Sequence, residues 1–116
     1  MTEFLLYDDL DPECLTGGID FHGIGYYRLS EHCHKNGVRV VADVHTHPGG
    51  HARQRSVDQQ HPMVSRAGHI ARVVPNLARV RIRPRDVGLH RYQLNRTWEE
   101  WHGIESARRF HIGWLR

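Results

Sequence analysis

Hydrophobic residues occur along this chain in short runs that turn-forming residues separate. The densest run spans 38–44, where four of seven residues are valine, and such a nearly continuous apolar run is typical of a strand covered on both faces. The same pattern predicts further strands at 4–7, 69–75, 77–83, 89–94 and 109–115. A short turn is predicted at 98–101, and the whole chain is expected to form a mixed sheet of about five or six strands.

A helical spacing of apolar residues replaces the strand pattern at 26–35. Asn36 and Gly37 supply a C-terminal stop for that helix. A second, shorter helix is predicted over 57–60, with Ser56 as its N-cap. The expected fold class is therefore α/β (α+β), a mixed β-sheet flanked by a few helices.

Length and composition narrow the class of protein. The 116 residues suit one domain, 1–116, and no apolar run approaches the ~18 residues of a membrane span. The first residues lack the basic and then apolar order of a secretory signal. Two cysteines, Cys14 and Cys33, are too few for a disulfide framework. These features favour a cytoplasmic protein that does not act in the membrane.

The net charge of +3 and the pI near 9.2 raise the question of nucleic acid binding. Only one of the 16 basic residues is a lysine, and such a skew also follows from genome composition. The densest basic stretch, 79–85, alternates arginine with apolar residues, which is typical of a strand with one solvated face. No aromatic residues are interleaved there, so nucleic acid is not the expected partner.

Two imidazoles one residue apart follow the densest apolar run. Because successive strand side chains point to opposite faces, His45 and His47 are expected to project the same way. Asp58 follows a loop whose proline and glycines let the chain turn back. Two imidazoles and one carboxylate leave a fourth tetrahedral position for water, as in catalytic zinc sites. A second pair, His32 and His34, is interpreted as part of the polar face of the predicted helix.

The order and spacing of His45, His47 and Asp58 resemble the JAMM motif of the MPN (JAB domain) metalloprotease family, whose motif is His-x-His, ten residues and Asp. The resemblance covers roughly 4–94 and is closest at 38–75. It implies a JAB/MPN-like fold, a Zn²⁺ cofactor and a zinc-dependent isopeptidase or peptidase that cleaves an amide or isopeptide bond. The implied substrate is a ubiquitin-like protein or peptide, as for the deubiquitinases, and the chain is similar to small bacterial members.

Two positions depart from the family motif. Where family members carry a serine that stabilises the oxyanion, this chain has Arg55, with Ser56 beside it. The family's general base is a glutamate on an early strand, and Glu3 is the candidate here. If 4–7 is the strand after that glutamate strand, the N-terminal strand-helix-strand portion is missing, encoded upstream or held on another subunit. Asp43 shares the strand face of the histidines and is expected to orient a ligating imidazole, or else to be an ordinary edge aspartate.

Other functions stay open. Without a base, the chain would be an inactive metal-binding MPN-like scaffold or a modifier-recognition protein, paired with a partner subunit or as a homodimer. A cysteine enzyme is a further alternative, although neither cysteine has a recognisable nucleophile context. Iron and manganese also suit two imidazoles and a carboxylate, with zinc the usual choice.

Overall fold

The computed structural model describes residues 3–14 and 21–109, with Val57 described by its backbone alone. The chain divides into two compact units, Met1–Arg39 and Val40–Arg116. Within the described residues, no helix has both the length and the apolar character that crossing a membrane requires.

The described part of the first unit contains two helices, α1 (Tyr7–Leu10) and α2 (Gly23–Asn36). The predicted helix at 26–35 is confirmed, and α2 ends at Gly37, whose φ of 63° is the left-handed cap conformation. The predicted strand at 4–7 is wrong, because α1 begins at Tyr7. Two aspartates in the first turn of α1 favour a helix there, since negative charge stabilises a helix N-terminus.

The second unit is built on a mixed sheet. Its four described strands lie in the order β1 (Ala42–Thr46), β2 (Ile70–Val74), β3 (Gly88–Tyr92) and β4 (Trp98–Trp101). The β1–β2 pair is parallel, and the other two pairs are antiparallel. Two short helices belong to the same unit, α3 (Ser56–Gln60) and α4 (Gly103–Arg108). The predicted fold class, α+β with a mixed sheet and a few helices, is confirmed.

Two predicted elements of this unit differ from the structure, and a third lies almost entirely outside the described residues. Residues 77–83 are not a strand, because the backbone turns through positive φ at Asn76, Leu77 and Ala78 directly after β2. The predicted turn at 98–101 is strand β4, which pairs along its length with β3. The predicted strand at 109–115 lies outside the described residues except for Arg109, which follows α4.

The first strand begins later than predicted, at Ala42 rather than residue 38. Because the strand also ends later, at Thr46 rather than residue 44, His45 lies inside β1, with Asp43 on the same face of the sheet. In register, Asp43 lies beside Ala71 of β2, which lies beside His90 of β3. We call this side of the sheet the histidine face, defined by Asp43, His45, His90 and Glu100.

Candidate metal centre

Strand β1 and the residue after it place the two predicted histidines on one side. The β1–β2 ladder continues one step past the end of β1, since the His47 N–H donates to the Val74 carbonyl at 2.9 Å. His47 therefore keeps the strand alternation and projects to the same side as His45. The two imidazole centroids lie 5.1 Å apart.

Helix α3 brings the third predicted ligand to this pair. Asp58 lies in the first turn of α3, and its Oδ2 accepts a hydrogen bond from the Arg55 backbone N–H at 2.9 Å. The same oxygen lies 3.2 Å from His47 Nε2 and 3.9 Å from His45 Nε2. The structure thus brings together all three residues that the sequence analysis selected as metal ligands.

The start of α3 differs by one residue from the prediction. Ser56 is the first helical residue and is exposed, so it is not the N-cap. The first helical hydrogen bond runs from the Gln59 N–H to the Arg55 carbonyl, which puts Arg55 at the cap position. The carboxylate of Asp58, three residues further on, satisfies the Arg55 N–H, as in one half of a capping box.

The ligand atoms of this group are largely shielded from water. The side chains of His47, His45 and Asp58 are 4%, 13% and 21% exposed. The Nε2 atoms of both imidazoles are buried and have no hydrogen-bond partner among the described residues. Burial, followed by the proximity of His45, lowers the pKa of His47, so this ring favours its neutral form. A buried nitrogen lone pair without a donor is costly, and a cation bound at this position would remove that cost.

The spacing of the ligand atoms also fits a small cation. A tetrahedral ion with bonds of about 2.0–2.2 Å holds its ligand atoms about 3.3–3.6 Å apart. The separations of 3.2 and 3.9 Å from Asp58 Oδ2 to the two Nε2 atoms lie close to that range. The residues present therefore fit a metal ion with two imidazole ligands and one carboxylate ligand.

Asp43 orients the first of these ligands. Its Oδ2 lies 3.3 Å from His45 Nδ1, and its Oδ1 lies 2.7 Å from His69 Nε2. Burial raises the pKa of Asp43, but the hydrogen bonds with the two histidines outweigh burial and lower it to about 2. Because an ionised carboxylate can only accept, the proton of His45 lies on Nδ1 and the Nε2 lone pair is left for a metal. With both oxygens engaged, Asp43 is poorly placed to serve as a general base.

The other candidate residues from the sequence belong to the first unit. Glu3 belongs to the first unit, where its carboxylate contacts His32 Nε2, and its assignment as a general base stays a prediction. His32 and His34 lie on α2, as the interpretation of that pair as a helix face requires. Both cysteines are free.

Four residues on the same side of the sheet as His45 were missed by the sequence analysis. His69 supports Asp43, and a second group combines His90, Glu100 and His102 within 4.8 Å of one another. The available signal was the pair Glu100-x-His102, which repeats the i, i+2 spacing of the first histidine pair. The i, i+2 spacing puts two side chains on one side only in a strand, and residues 98–101 were predicted to form a turn.

A scan of the chain against models of protein families finds no match.

Proposed function

We propose that this protein binds one zinc ion through His45, His47 and Asp58 and acts as a JAMM-type metallo-isopeptidase. The observation that supports this proposal best is that two buried Nε2 atoms converge on one carboxylate oxygen, at 3.2 and 3.9 Å. Zinc is proposed because two imidazoles and a carboxylate are the ligand set of a class of catalytic zinc sites. The free cysteines are in keeping with a reducing compartment such as the cytoplasm.

Zinc held by these three ligands would supply Lewis acidity towards an amide carbonyl and acidify a water molecule. The chain's own residues prepare the ligand set for that role. Asp43 fixes the tautomer of His45, and the Arg55 N–H fixes the orientation of the Asp58 carboxylate. Ligands held in this way need little rearrangement when the metal binds, which favours affinity.

The proposed reaction is hydrolysis of an amide or isopeptide bond, with a ubiquitin-like modifier or a peptide as substrate. This part of the proposal depends on the resemblance to the JAMM motif and requires a general base. Glu3 is the proposed base, and replacing it should stop cleavage without removing zinc. Glu31, an exposed glutamate on α2, provides the matched control.

An inactive metal-binding scaffold, or a protein that recognises a modifier, is the second candidate. It is favoured because both oxygens of Asp43, the carboxylate beside the proposed ligands, are engaged by histidines. Asp43 is therefore poorly placed to act as the general base. Retention of zinc with no cleavage of any conjugate, in the wild type as well as in Glu3→Gln, would support this candidate over the enzyme.

The decisive measurement is the metal content of purified variants, by elemental analysis and by titration with zinc. Asp58→Asn keeps an oxygen that can accept from Arg55 but removes the negative charge of the ligand. We expect it to bind one zinc equivalent fewer than Glu105→Gln, which changes an exposed acid in the first turn of α4. Equal zinc in the two variants would remove Asp58 from the site and end the proposal.

Cleavage is tested on a ubiquitin-like modifier joined through its C-terminus to the lysine side chain of a peptide. The expected result is release of the free modifier by the wild type and by Glu31→Gln, and no release by Asp58→Asn or Glu3→Gln. Release by Asp58→Asn at the wild-type rate would contradict a metal-dependent reaction.

A further inference from the structure

A second group of metal-ligating side chains lies on strands β3 and β4, apart from the ligand set already described. His90 of β3 stands directly opposite Glu100 of β4 in the antiparallel register. His102 follows two residues later and therefore projects to the same side as Glu100. The imidazole centroids of His90 and His102 lie 5.4 Å apart.

The hydrogen bond of His90 fixes which of its nitrogens can bind a cation. His90 Nε2 lies 3.1 Å from the carbonyl oxygen of Ala52. A carbonyl oxygen can only accept, so the proton lies on Nε2, and Nδ1 carries a lone pair. The side chain of His90 is 0% exposed, and its Nδ1 has no hydrogen-bond partner among the residues that the structure describes.

The carboxylate of Glu100 approaches one ring nitrogen of each histidine. Its Oε1 is 3.6 Å from His90 Nδ1, and its Oε2 is 3.7 Å from His102 Nε2, a second buried atom without a partner in the described part of the chain. A lone pair that faces a carboxylate repels it unless a cation lies between them. These separations exceed the 2.7–3.2 Å of an N–H···O hydrogen bond, but they lie close to the spacing of about 3.3–3.6 Å between ligands of one tetrahedral ion.

We propose that His90, Glu100 and His102 bind a second divalent ion, through Nδ1, the carboxylate and Nε2 respectively. Zinc is the expected ion, since imidazole and carboxylate ligands on a rigid framework suit it. The role of this ion is to hold neighbouring elements of the fold together. His90 is fully buried beneath the loop that contains Ala52, and the ion joins the neighbouring strands β3 and β4 to the segment that follows them.

Contacts on the same side of the sheet connect this second group to α3, the helix that carries Asp58. Gln59 Nε2 donates to Glu100 Oε1 at 3.3 Å, and the Trp98 indole N–H donates to the Gln59 carbonyl at 3.0 Å. An ion that fixes Glu100 would therefore also restrain α3. We expect the second ion to hold the loop and the helix that complete the first ligand set.

The test measures zinc stoichiometry and the visible absorption of the Co²⁺-substituted protein, with all 116 residues present. The wild type should bind two zinc equivalents, and Glu100→Gln or His102→Ala should bind one. Glu99→Gln is the matched control, because Glu99 neighbours Glu100 in β4 but points to the opposite face, where it pairs with Arg91. It should bind two equivalents. Both altered ligands are partly exposed in the wild type, so folding of these variants is expected and is checked by circular dichroism.

The double variant Asp58→Asn/Glu100→Gln separates the two proposals. It should bind no zinc, while each single variant keeps one equivalent. One equivalent in the wild type that is lost in Asp58→Asn and kept in Glu100→Gln would overturn the second site and leave the first in place. The reverse pattern would overturn the first site alone. Two equivalents in Glu100→Gln would show that Glu100 is not a zinc ligand and would overturn the second site.

Discussion

The two histidine–carboxylate groups of the second unit have the same composition but are assembled in different ways. In the first group, His45 and His47 come from one strand, and Asp58 arrives through a loop and a short helix. In the second, His90 and Glu100 are placed opposite each other by strand pairing. The geometry of the first group therefore depends on the loop, whereas that of the second depends on the sheet. Metal at the first should be lost when the loop moves, and metal at the second when β3 and β4 separate.

One feature, the close approach of the loop to β3, affects both groups. A Cβ atom at Gly88 would lie 1.9 Å from the carbonyl oxygen of Ala52 and 3.0 Å from its carbonyl carbon. That carbonyl is also the acceptor for His90. The loop that leads to Asp58 can therefore lie on the sheet only because residue 88 has no side chain.

The largest predicted effect follows from filling this space. In Gly88→Ala, the new methyl group must displace the backbone of Ala52 from strand β3. We expect this to lower the free energy of unfolding by about 1–3 kcal/mol. Zinc affinity should fall about tenfold or more, which corresponds to about 1.4 kcal/mol, at both groups. Urea unfolding and zinc titration measure the two effects.

Gly50→Ala is the control for this prediction, because a Cβ there would meet only the Asn76 side-chain oxygen, at 3.8 Å. It lies in the same loop and should leave zinc binding unchanged. Wild-type zinc affinity in Gly88→Ala would mean that the position of this loop does not control either group.

The first group could be found from the sequence because its ligands are close together in the chain. Strand alternation puts His45 and His47 on one side, and a carboxylate follows after a loop with turn-forming residues. The sequence alone could not show how closely Asp58 approaches the two histidines, because that distance depends on the fold. The structural detail that the sequence left open was the cap of α3, where the carboxylate of Asp58 replaced the expected hydroxyl of Ser56.

The second group could not be found in this way, because it exists only if β4 is a strand. The segment Trp98–Trp101 has a central pair of glutamates and no β-branched residue, so only its two tryptophans favour a strand. Contacts with β3 stabilise it instead: the rings of Tyr92 and Trp98 meet edge to face at 5.0 Å, and Arg91 pairs with Glu99. The stretch 79–83 shows the opposite case, in which an alternating pattern lies outside the sheet because the chain turns at Asn76–Ala78.

The support of the ligating histidines also differs between the groups, and a mutation can test that difference. His45 is oriented by the side chain of Asp43, whereas His90 is oriented by a backbone carbonyl. Asp43→Asn should therefore weaken zinc binding at the first group by about 10–100-fold, the usual effect of losing a carboxylate behind a ligand. Zinc at the second group should not change, and Asp86→Asn, which alters a carboxylate outside both groups, should affect neither. A loss confined to the second group, or no loss at all, would show that Asp43 does not orient His45.

The smallest predicted effect is a loss of folding stability in acid, which arises from Asp43 beside the first group. The folded-state pKa of Asp43, about 2, lies below its ordinary value of 3.8, so the unfolded chain binds this proton more tightly. The stabilisation is complete above the unfolded pKa and is lost as the pH falls towards the folded pKa. Between pH 5 and pH 3 the metal-free protein should lose about 1 kcal/mol through this group. Chemical unfolding at pH 5 and pH 3 measures this loss. Between the two pH values, the free energy of unfolding of the wild type should fall by about 1 kcal/mol more than that of Asp43→Asn. Equal losses in the two proteins would mean that the contacts of Asp43 with His45 and His69 do not stabilise its charge.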